Sequence, residues 1–311
     1  MAIGAKYNGS LEWVAEVTPG TVPTNPAMQY IGRTLSFAPN DEAKYETIRY
    51  LPDASVTDNK ALLVKHIKTS ESLGFEAEFV PLVGSSYSLL DYFIGKSGAV
   101  LVSDTQPSLS MGFINALTAT NKYHIYKGCY GESFSMDIPE NGKITNKIKM
   151  IAWDLAISTT YIGTGSHAAL STAAELTFDD ISNVQMGDTG GALANITDNV
   201  NSLNWSITNN LGVSIDINQT TPTKIKNVVV NSRDIKIGLN VDYSDLATDA
   251  ATNLSITGVR AGKAKDIAFT LDGKTYKFIG AKFPKLPYSF GADDLVGDSV
   301  ESLSCTGMTV T

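Results

Sequence analysis

The fold is decided by the stretch LGFEAEF at residues 73–79, which returns as IGLNVDY at residues 237–243. In both copies an aliphatic residue and a glycine come first, and acids or amides then alternate with apolar residues. An alternation with a period of two is typical of a β-strand that buries one face. The recurrence predicts that one fold is used twice in this chain.

The segments that follow the two copies agree in order. Residues 85–95 and 247–259 both have the pattern of a short amphipathic helix. The strands that close the two copies are predicted at 150–157 and 303–310. The sequence therefore predicts a mainly β protein with two tandem β-sandwich domains, each with a short flanking α-helix.

Alternating residues in the second half predict further strands. Leu203, Trp205 and Ile207 fall on one face of a strand, and Val213, Ile215 and Ile217 fall on a face of another strand. An Asp-Gly pair at 272–273 lies between two strand-like runs and predicts a tight β-hairpin.

Four segments divide the chain. We expect an extended N-terminal arm at 1–32, where prolines favour extended backbone, and a first sandwich at 33–158. Residues 159–200, which are rich in Gly, Ser, Ala and Asn, are predicted to be a junction. The second sandwich is predicted at 201–311.

Composition excludes several classes of protein. Of the 311 residues, 43% are hydrophobic and 18% are charged, which is typical of a folded protein. The net charge of −8 argues against stable binding of nucleic acid. A signal peptide and a membrane-spanning run are not predicted, so we expect synthesis as a soluble protein. The widely spaced Cys129 and Cys305 are compatible with one disulfide, although two buried thiols are favoured.

A search for catalytic or ligand-binding motifs gives no candidate. His66, His124 and His167 lack partners at the spacing of metal ligands. Motifs for a serine nucleophile and for nucleotide binding are missing from the sequence. We therefore expect no catalytic residue, no cofactor and no metal.

The segment VAEVTPGTVPTNPAMQYIGRTL at residues 14–35 resembles the opening of tail tube proteins of long-tailed phages and related viruses. The hairpin and closing strand of the second half resemble the β-sandwich of that family. The resemblance implies a structural virion protein that assembles into stacked rings. With a duplicated domain, three chains would form a pseudo-sixfold ring, through which viral DNA passes to the host.

The resemblance also implies partners, a location and candidate residues. The protein would bind itself laterally and axially, and would contact the tape-measure protein, the tail terminator and baseplate or tip proteins. It would be made soluble in the host cytoplasm, end in the virion tail, and touch DNA only in transit. Acids that face the lumen would repel DNA, and the candidates are Glu76, Glu78, Asp242 and Asp245. The candidates for an inter-ring arm are Thr18, Pro19, Gly20, Pro23 and Pro26.

Two other classes of protein compete with this interpretation. A two-domain β-sandwich binding module, of carbohydrate-binding or adhesin type, would need exposed planar aromatic side chains. Only three tryptophans are available for such a platform, Trp13, Trp153 and Trp205. A jelly-roll hydrolase is the remaining alternative.

Overall fold

The structure is a computed structural model that carries side chains. It describes residues 10–49, 64–84, 88–97, 100–101, 106–115, 122–162, 172–197, 200–215, 225–241, 262–284, 288–290, 295–297 and 299–311. Within these ranges the chain is mostly antiparallel β-structure, as predicted.

The first unit of the fold contains one short helix and the strands before residue 159. Its strands are β1 (Leu11–Ala15), β2 (Gln29–Tyr30), β3 (Arg33–Pro39), β4 (Glu42–Arg49), β5 (Val64–Val80), β6 (Lys96–Ser97), β7 (Val100–Leu101), β8 (Leu109–Asn115), β9 (Lys122–Ile138), β10 (Thr145–Ala152) and β11 (Asp154–Ser158). Helix α1 (Ser88–Ile94) lies within the predicted helical segment and packs Leu89, Leu90, Phe93 and Ile94 into the core. The predicted flanking helix of this unit is therefore confirmed.

The second unit begins with a single 3-10 turn at Phe178–Asp180. Its strands are β12 (Ile181–Asp188), β13 (Ala194–Asn195), β14 (Val200–Ile215), β15 (Ile225–Val241), β16 (Lys265–Leu271), β17 (Lys274–Ala281), β18 (Tyr288–Phe290), β19 (Leu295–Gly297), β20 (Ser299–Glu301) and β21 (Gly307–Val310). The helix predicted at 247–259 lies outside the described residues.

Strand pairing repeats from one unit to the other. The second unit has a 5-stranded sheet in the order β13-β12-β16-β17-β21. The first unit has the same arrangement, because β1 pairs with β2 and β8, while β9 pairs with β8 and β11. The other layer repeats as well: β5 lies between β3 and β10, and β15 lies between β14 and β20. The predicted pair of β-sandwich units is confirmed by this topology.

The glycine of the repeated motif is closely approached in both units, although by different neighbours. A Cβ atom on Gly74 would lie 2.4 Å from the Met150 carbonyl oxygen, which is backbone of the adjacent strand β10. A Cβ atom on Gly238 would lie 2.5 Å from Oδ1 of the Asn204 side chain on β14. A larger residue would therefore displace the backbone in the first unit and a side chain in the second.

The two units share a sheet. The C-terminal half of β9 pairs with β10 on one side and with β14 on the other, which gives the continuous order β3-β5-β10-β9-β14-β15-β20. The main hydrophobic cluster also runs through both units. Trp205 is 1% exposed and stacks on Phe134 of the first unit, with ring centroids 5.1 Å apart. On its other side it contacts Tyr276 and Phe278 of the second unit.

Two segments that we expected to be connections contain strands. Within 1–32, β1 pairs with β8 and buries Leu11 and Trp13 in the core. Within 159–200, β12 pairs with β16 as the equivalent of β1. The prolines that suggested an arm lie between β1 and β2, and Gly190 and Gly191 lie in the turn after β12.

Candidate assembly surface

The seam is the paired stretch of β9 and β14, from Leu203 opposite Ile138 to Thr208 opposite Ser133. Its backbone hydrogen bonds are those of an ordinary antiparallel ladder. On the core side, Ile207 lies opposite Phe134. The opposite side of the seam is polar and uncharged at Ser133, Ser135, Ser206 and Thr208. The seam therefore joins the two units edge to edge.

A buried amide closes the seam beside helix α1. Asn209 is 1% exposed, and its Nδ2 donates to the carbonyl oxygens of Phe93 at 2.9 Å and Gly131 at 2.8 Å. Its Oδ1 accepts a hydrogen bond from Nε of Arg233 at 2.8 Å. Gln106 of the first unit donates to the same carbonyl oxygen of Gly131 at 3.1 Å. Gln106 also donates to the carbonyl oxygen of Tyr92 in α1, so side chains of both units satisfy the last carbonyls of this helix, which a helix end leaves without an internal partner.

The polar face is the side of the shared sheet opposite the core. Its charged members are the carboxylates Glu76, Glu78, Glu132, Asp137, Asp234 and Glu301 and the lysines Lys147, Lys149 and Lys236. Six carboxylates against three lysines give the described part of this face a formal charge of −3.

Each lysine of the polar face lies close to an acid. Lys149 Nζ is 2.9 Å from Oε1 of Glu132, and this hydrogen bond is the main reason why the pKa of Lys149 is raised. Lys147 Nζ is 3.8 Å from Oε2 of Glu78. Such exposed pairs add little stability, but they lower the negative potential of the face.

The distal part of the hairpin β14–β15 lies against the first unit. Val228 is 4% exposed and packs with Tyr130, and Ile151, Trp153 and Leu211 surround this pair. The hairpin of the second unit therefore covers an apolar patch of the first unit beyond the end of the seam.

A carboxylate beneath Trp153 closes the turn after β1. Glu16 accepts hydrogen bonds from the backbone N–H of Gly20 at 2.8 Å and of Gly128 at 2.9 Å, and from Oγ of Ser110 at 2.5 Å. Both glycines have positive φ, of +76° and +58°, and a Cβ atom on either would lie 2.7 Å from the indole. The turn is therefore shaped to let Trp153 lie flat over it.

We call this arrangement, in which one carboxylate accepts hydrogen bonds from two glycine N–H groups, a clasp. The second unit repeats the clasp with a carboxylate of β16. Asp266 is 2% exposed and accepts hydrogen bonds from the N–H of Gly280 at 3.1 Å and of Gly190 at 3.3 Å. Burial acts to raise the pKa of Asp266, but these hydrogen bonds and Lys277 outweigh it, and the pKa is lowered. Where the first unit has Trp153, the second has Thr306: Trp153 N–H donates to the Lys127 carbonyl, and Thr306 N–H to the Ile279 carbonyl.

The structure places two of the four predicted lumen acids on the polar face. Glu76 is exposed and Glu78 is half-buried, and they lie opposite Lys149 and Lys147 on β10. Asp242 and Asp245 lie outside the described residues.

Of the candidate arm residues, Gly20 belongs to the clasp of the first unit, and the others lie on either side of it in the sequence. Thr18 and Pro19 are exposed, Gly20 and Pro23 are half-buried, and Pro26 is buried. The structure does not bring these residues together with the acids of the polar face into one site. Their role in contacts between rings stays a prediction.

Sequence reasoning missed Gln106, Asn209 and the clasp residues Glu16 and Asp266. Asn209 ends the alternation of Leu203, Trp205 and Ile207, and Glu16 lies in the segment that carries the family resemblance. Gln106 and Asp266 stand among other polar residues, and no local pattern marks them.

Comparison with known proteins decides between the classes of function. The family described as "Phage tail tube protein" matches residues 7–307, nearly the whole chain. The chain belongs to the phage tail tube protein family. A chain of the anti-feeding prophage baseplate, determined by cryo-EM, is similar over 51% of this chain and 97% of its own length, with 10% identity and a TM-score of 0.33. The comparison with curated proteins found no match.

A tail tube protein is a structural component of the virion tail, which agrees with the resemblance at residues 14–35. The aromatic platform of the binding-module alternative is not formed by the tryptophans: Trp13 and Trp205 are buried, and Trp153 lies over Gly20 and Gly128. In the described ranges, no helix is long and apolar enough to cross a membrane. No group of three or more His, Cys, Asp or Glu side chains among the described residues could hold a metal ion. Cys129 and Cys305 are both free and buried.

Proposed function

We propose that this tail tube protein forms rings in which three chains supply six units, and that the rings stack into the tube through which viral DNA passes. The observation that carries the proposal is the seam, where two equivalent units already lie side by side on one sheet. Repeating this relation between chains would continue the sheet laterally, and a heterologous contact of this kind closes into a ring.

The edges available for the contact between chains follow from the seam. Within the chain, β14 of the second unit pairs with β9 of the first. The equivalent of β14 in the first unit is formed by β3 and β4, which pair with β5 as β14 pairs with β15. In the second unit, the equivalent of the C-terminal half of β9, which forms the seam, follows β17 in the sequence and includes β18. We expect the edge formed by β3 and β4 of one chain to pair with this part of the second unit of the next chain.

Ring formation is tested by concentrating the purified protein and combining negative-stain electron microscopy with native mass spectrometry. The expected result is stacked rings or tubes, with three chains in the smallest closed assembly. A protein that stays monomeric at high concentration contradicts the proposal, and a ring of six chains contradicts the stoichiometry.

We assign the polar face to the lumen. Its net negative charge would repel DNA phosphates at close range, and its Ser, Thr and Asn side chains offer little that holds them. Glu76 and Glu78 are two of the six carboxylates of this face, and reversing them would turn its net charge positive.

Charge reversal tests the lumen assignment. Virions that carry Glu76→Lys and Glu78→Lys should assemble tubes of normal length but deliver DNA poorly. Glu140→Lys with Asp179→Lys is a matched control, because both acids are exposed and lie outside the polar face. Equal infectivity of the two double variants would contradict a lumen role for Glu76 and Glu78.

The segment from Thr18 to Pro26 is proposed to contact the adjacent ring. The tape-measure protein, the tail terminator and baseplate or tip proteins remain the proposed partners of the finished tube. After synthesis in the host cytoplasm, the chain would enter the virion tail as it assembles.

A further inference from the structure

We propose that Val17 of one copy of this chain docks into a small cavity in the second unit of a copy in the adjacent ring. The cavity has a volume of about 50 Å³ and is lined, among the described residues, by Phe178, Ile181, Val184, Thr197, Val200 and Leu203. The inference rests on the proposed stacking of rings, and it names the side chain and the receiving site of a contact between rings.

The cavity exists because the second unit has smaller side chains than the first at two equivalent positions. Val200 on β14 is the counterpart of Phe37 on β3, since each pairs with the residue three positions after the repeated glycine. In the first unit Phe37 fills this place and stacks on Phe113, with ring centroids 4.1 Å apart. Val184 is the counterpart of Leu11, since the carbonyl oxygen of each accepts a hydrogen bond from the isoleucine directly after the neighbouring edge strand.

The cavity suits a small apolar side chain. Five of its six described lining residues are apolar, and the hydroxyl of Thr197 is already hydrogen-bonded to Asn195 and Val184. Phe178, Ile181 and Thr197 are half-buried, so the cavity reaches the surface beside the start of β12. At roughly 15 Å³ for each water-sized group, it has room for about three such groups. The side chain of valine consists of three carbon atoms and matches this volume.

Val17 is presented by a turn that is already closed. Its side chain is 96% exposed, the largest exposure among the large hydrophobic side chains of the described ranges. It follows Glu16, whose carboxylate holds the turn through the N–H groups of Gly20 and Gly128. Because the turn is formed before docking, little conformational entropy would be lost when Val17 enters a cavity. Val17 also directly precedes the segment from Thr18 to Pro26, which is proposed to contact the adjacent ring.

Val17 and the cavity lie at opposite ends of the fold. Phe178 N–H donates to the carbonyl oxygen of Gly142, just before β10 begins. Trp153, which lies over the turn of Val17, directly follows the other end of β10. The eight residues of β10 span about 25 Å, so one chain cannot bring Val17 to its own cavity. The occupant is therefore a second copy, and a contact between opposite ends is heterologous and continues into a stack.

Removing the apolar side chain tests the docking. Val17→Asp should keep the Tm of the wild type, because Val17 is exposed, and should raise the protein concentration needed for tubes at least tenfold while single rings still form. Ile157→Asp is the matched control, because Ile157 is 62% exposed and lies on β11 outside the turn. This control should stack like the wild type. Sedimentation and negative-stain electron microscopy at several concentrations give the fractions of rings and tubes.

Filling the cavity from within tests the receiving site. Val200→Phe introduces the residue that the first unit has at the equivalent position, and its ring would occupy the cavity in place of Val17 of another copy. We expect this variant to form rings without tubes. Because a larger side chain can strain a core, its Tm is measured as well, and Val17→Asp decides if Val200→Phe does not fold.

A disulfide between copies locates the contact. Val17→Cys and Thr197→Cys proteins, assembled as a mixture and oxidised, should form a covalent pair of chains, whereas neither protein should do so alone. Cys129 and Cys305 are buried and do not compete. If wild-type tubes form, normal stacking of Val17→Asp or the lack of this disulfide in mixed tubes overturns the docking and leaves the ring proposal standing. Loss of tubes in Val200→Phe alone assigns the cavity to another occupant and also overturns it. Wild-type protein that forms no tubes overturns the proposed stacking, and this inference with it.

Discussion

Asn209→Ala measures how strongly the two units are joined within one chain. The substitution removes three hydrogen bonds, two donated to carbonyl oxygens and one accepted from Arg233. The carbonyl oxygen of Gly131 keeps its hydrogen bond from Gln106, so it is not left without a donor. Counting about 1 kcal/mol for each neutral hydrogen bond and about 1.5 kcal/mol for the charged one, we expect a loss of roughly 3.5 kcal/mol of unfolding free energy.

The measurement is urea denaturation of dilute protein, followed by the fluorescence of Trp205 and the other tryptophans. Thr208→Ala is the matched control, because Thr208 is the exposed neighbour on the same strand and should change stability by less than about 0.5 kcal/mol. Hydrogen exchange of Leu203 to Thr208 should accelerate in Asn209→Ala alone. If the two variants unfold at the same urea concentration, the buried amide does not hold the seam, and the reasoning is refuted.

Three further variants test other parts of the structure. Burial raises the pKa of Glu12, which is 1% exposed, from 4.5 to about 7. The unfolding free energy of the wild type should therefore fall by about 3 kcal/mol as pH rises through 4.5 to 7, and Glu12→Gln should flatten this slope in pH-dependent urea melts. The pKa of Asp266 is lowered, so its contribution to the unfolding free energy is present above its ordinary pKa of 3.8 and is lost as pH falls further. Asp266→Asn should therefore reduce the fall of Tm at acid pH in thermal melts. A variant whose Tm falls at acid pH as much as that of the wild type would contradict the clasp. Gly74→Ala places a Cβ atom 2.4 Å from the Met150 carbonyl oxygen and should cost about 1–3 kcal/mol, whereas Gly112→Ala, with neighbours at 3.7 Å, should be close to neutral.

The repeated strands could be predicted because their alternation is local. The glycine followed by alternating residues identified β5 and β15, and the Asp-Gly pair identified the β16–β17 turn, where Asp272 and Gly273 both have positive φ. Such signals lie within a few residues of each other.

The long strand β14 shows where local patterns fail. We expected Val213 to lie on the face of a separate strand. Instead β14 runs from Val200 to Ile215, and its register shifts between Asn210 and Leu211. The shift changes which side chains face inward, and Val213 is 45% exposed. A bulge of this kind depends on the partner strand, which the local sequence does not identify.

The seam could not be predicted for a related reason. Nothing local links Leu203 to Ile138, because their pairing depends on how two complete units pack. Proline and glycine likewise suggested connections at 1–32 and 159–200, although β1 and β12 are interior strands of the two units, each with a partner on both sides. The apolar residues of those strands, such as Leu11 and Trp13, carried too short a pattern to outweigh the turns around them.

The seam also changes the kinetics expected for assembly. A ring built from separate single units would need six bodies to meet, and each association costs translational and rotational freedom of about 4–15 kcal/mol at standard concentration. In the proposed ring every second joint would be present as soon as the polypeptide folds, since β9 and β14 pair within one molecule. Because the two units are covalently linked, the effective concentration of one unit around the other does not fall on dilution. It is on the order of millimolar for short flexible linkers. Dilution should therefore open only the contacts between chains and release single chains, in which the two units stay joined at the seam.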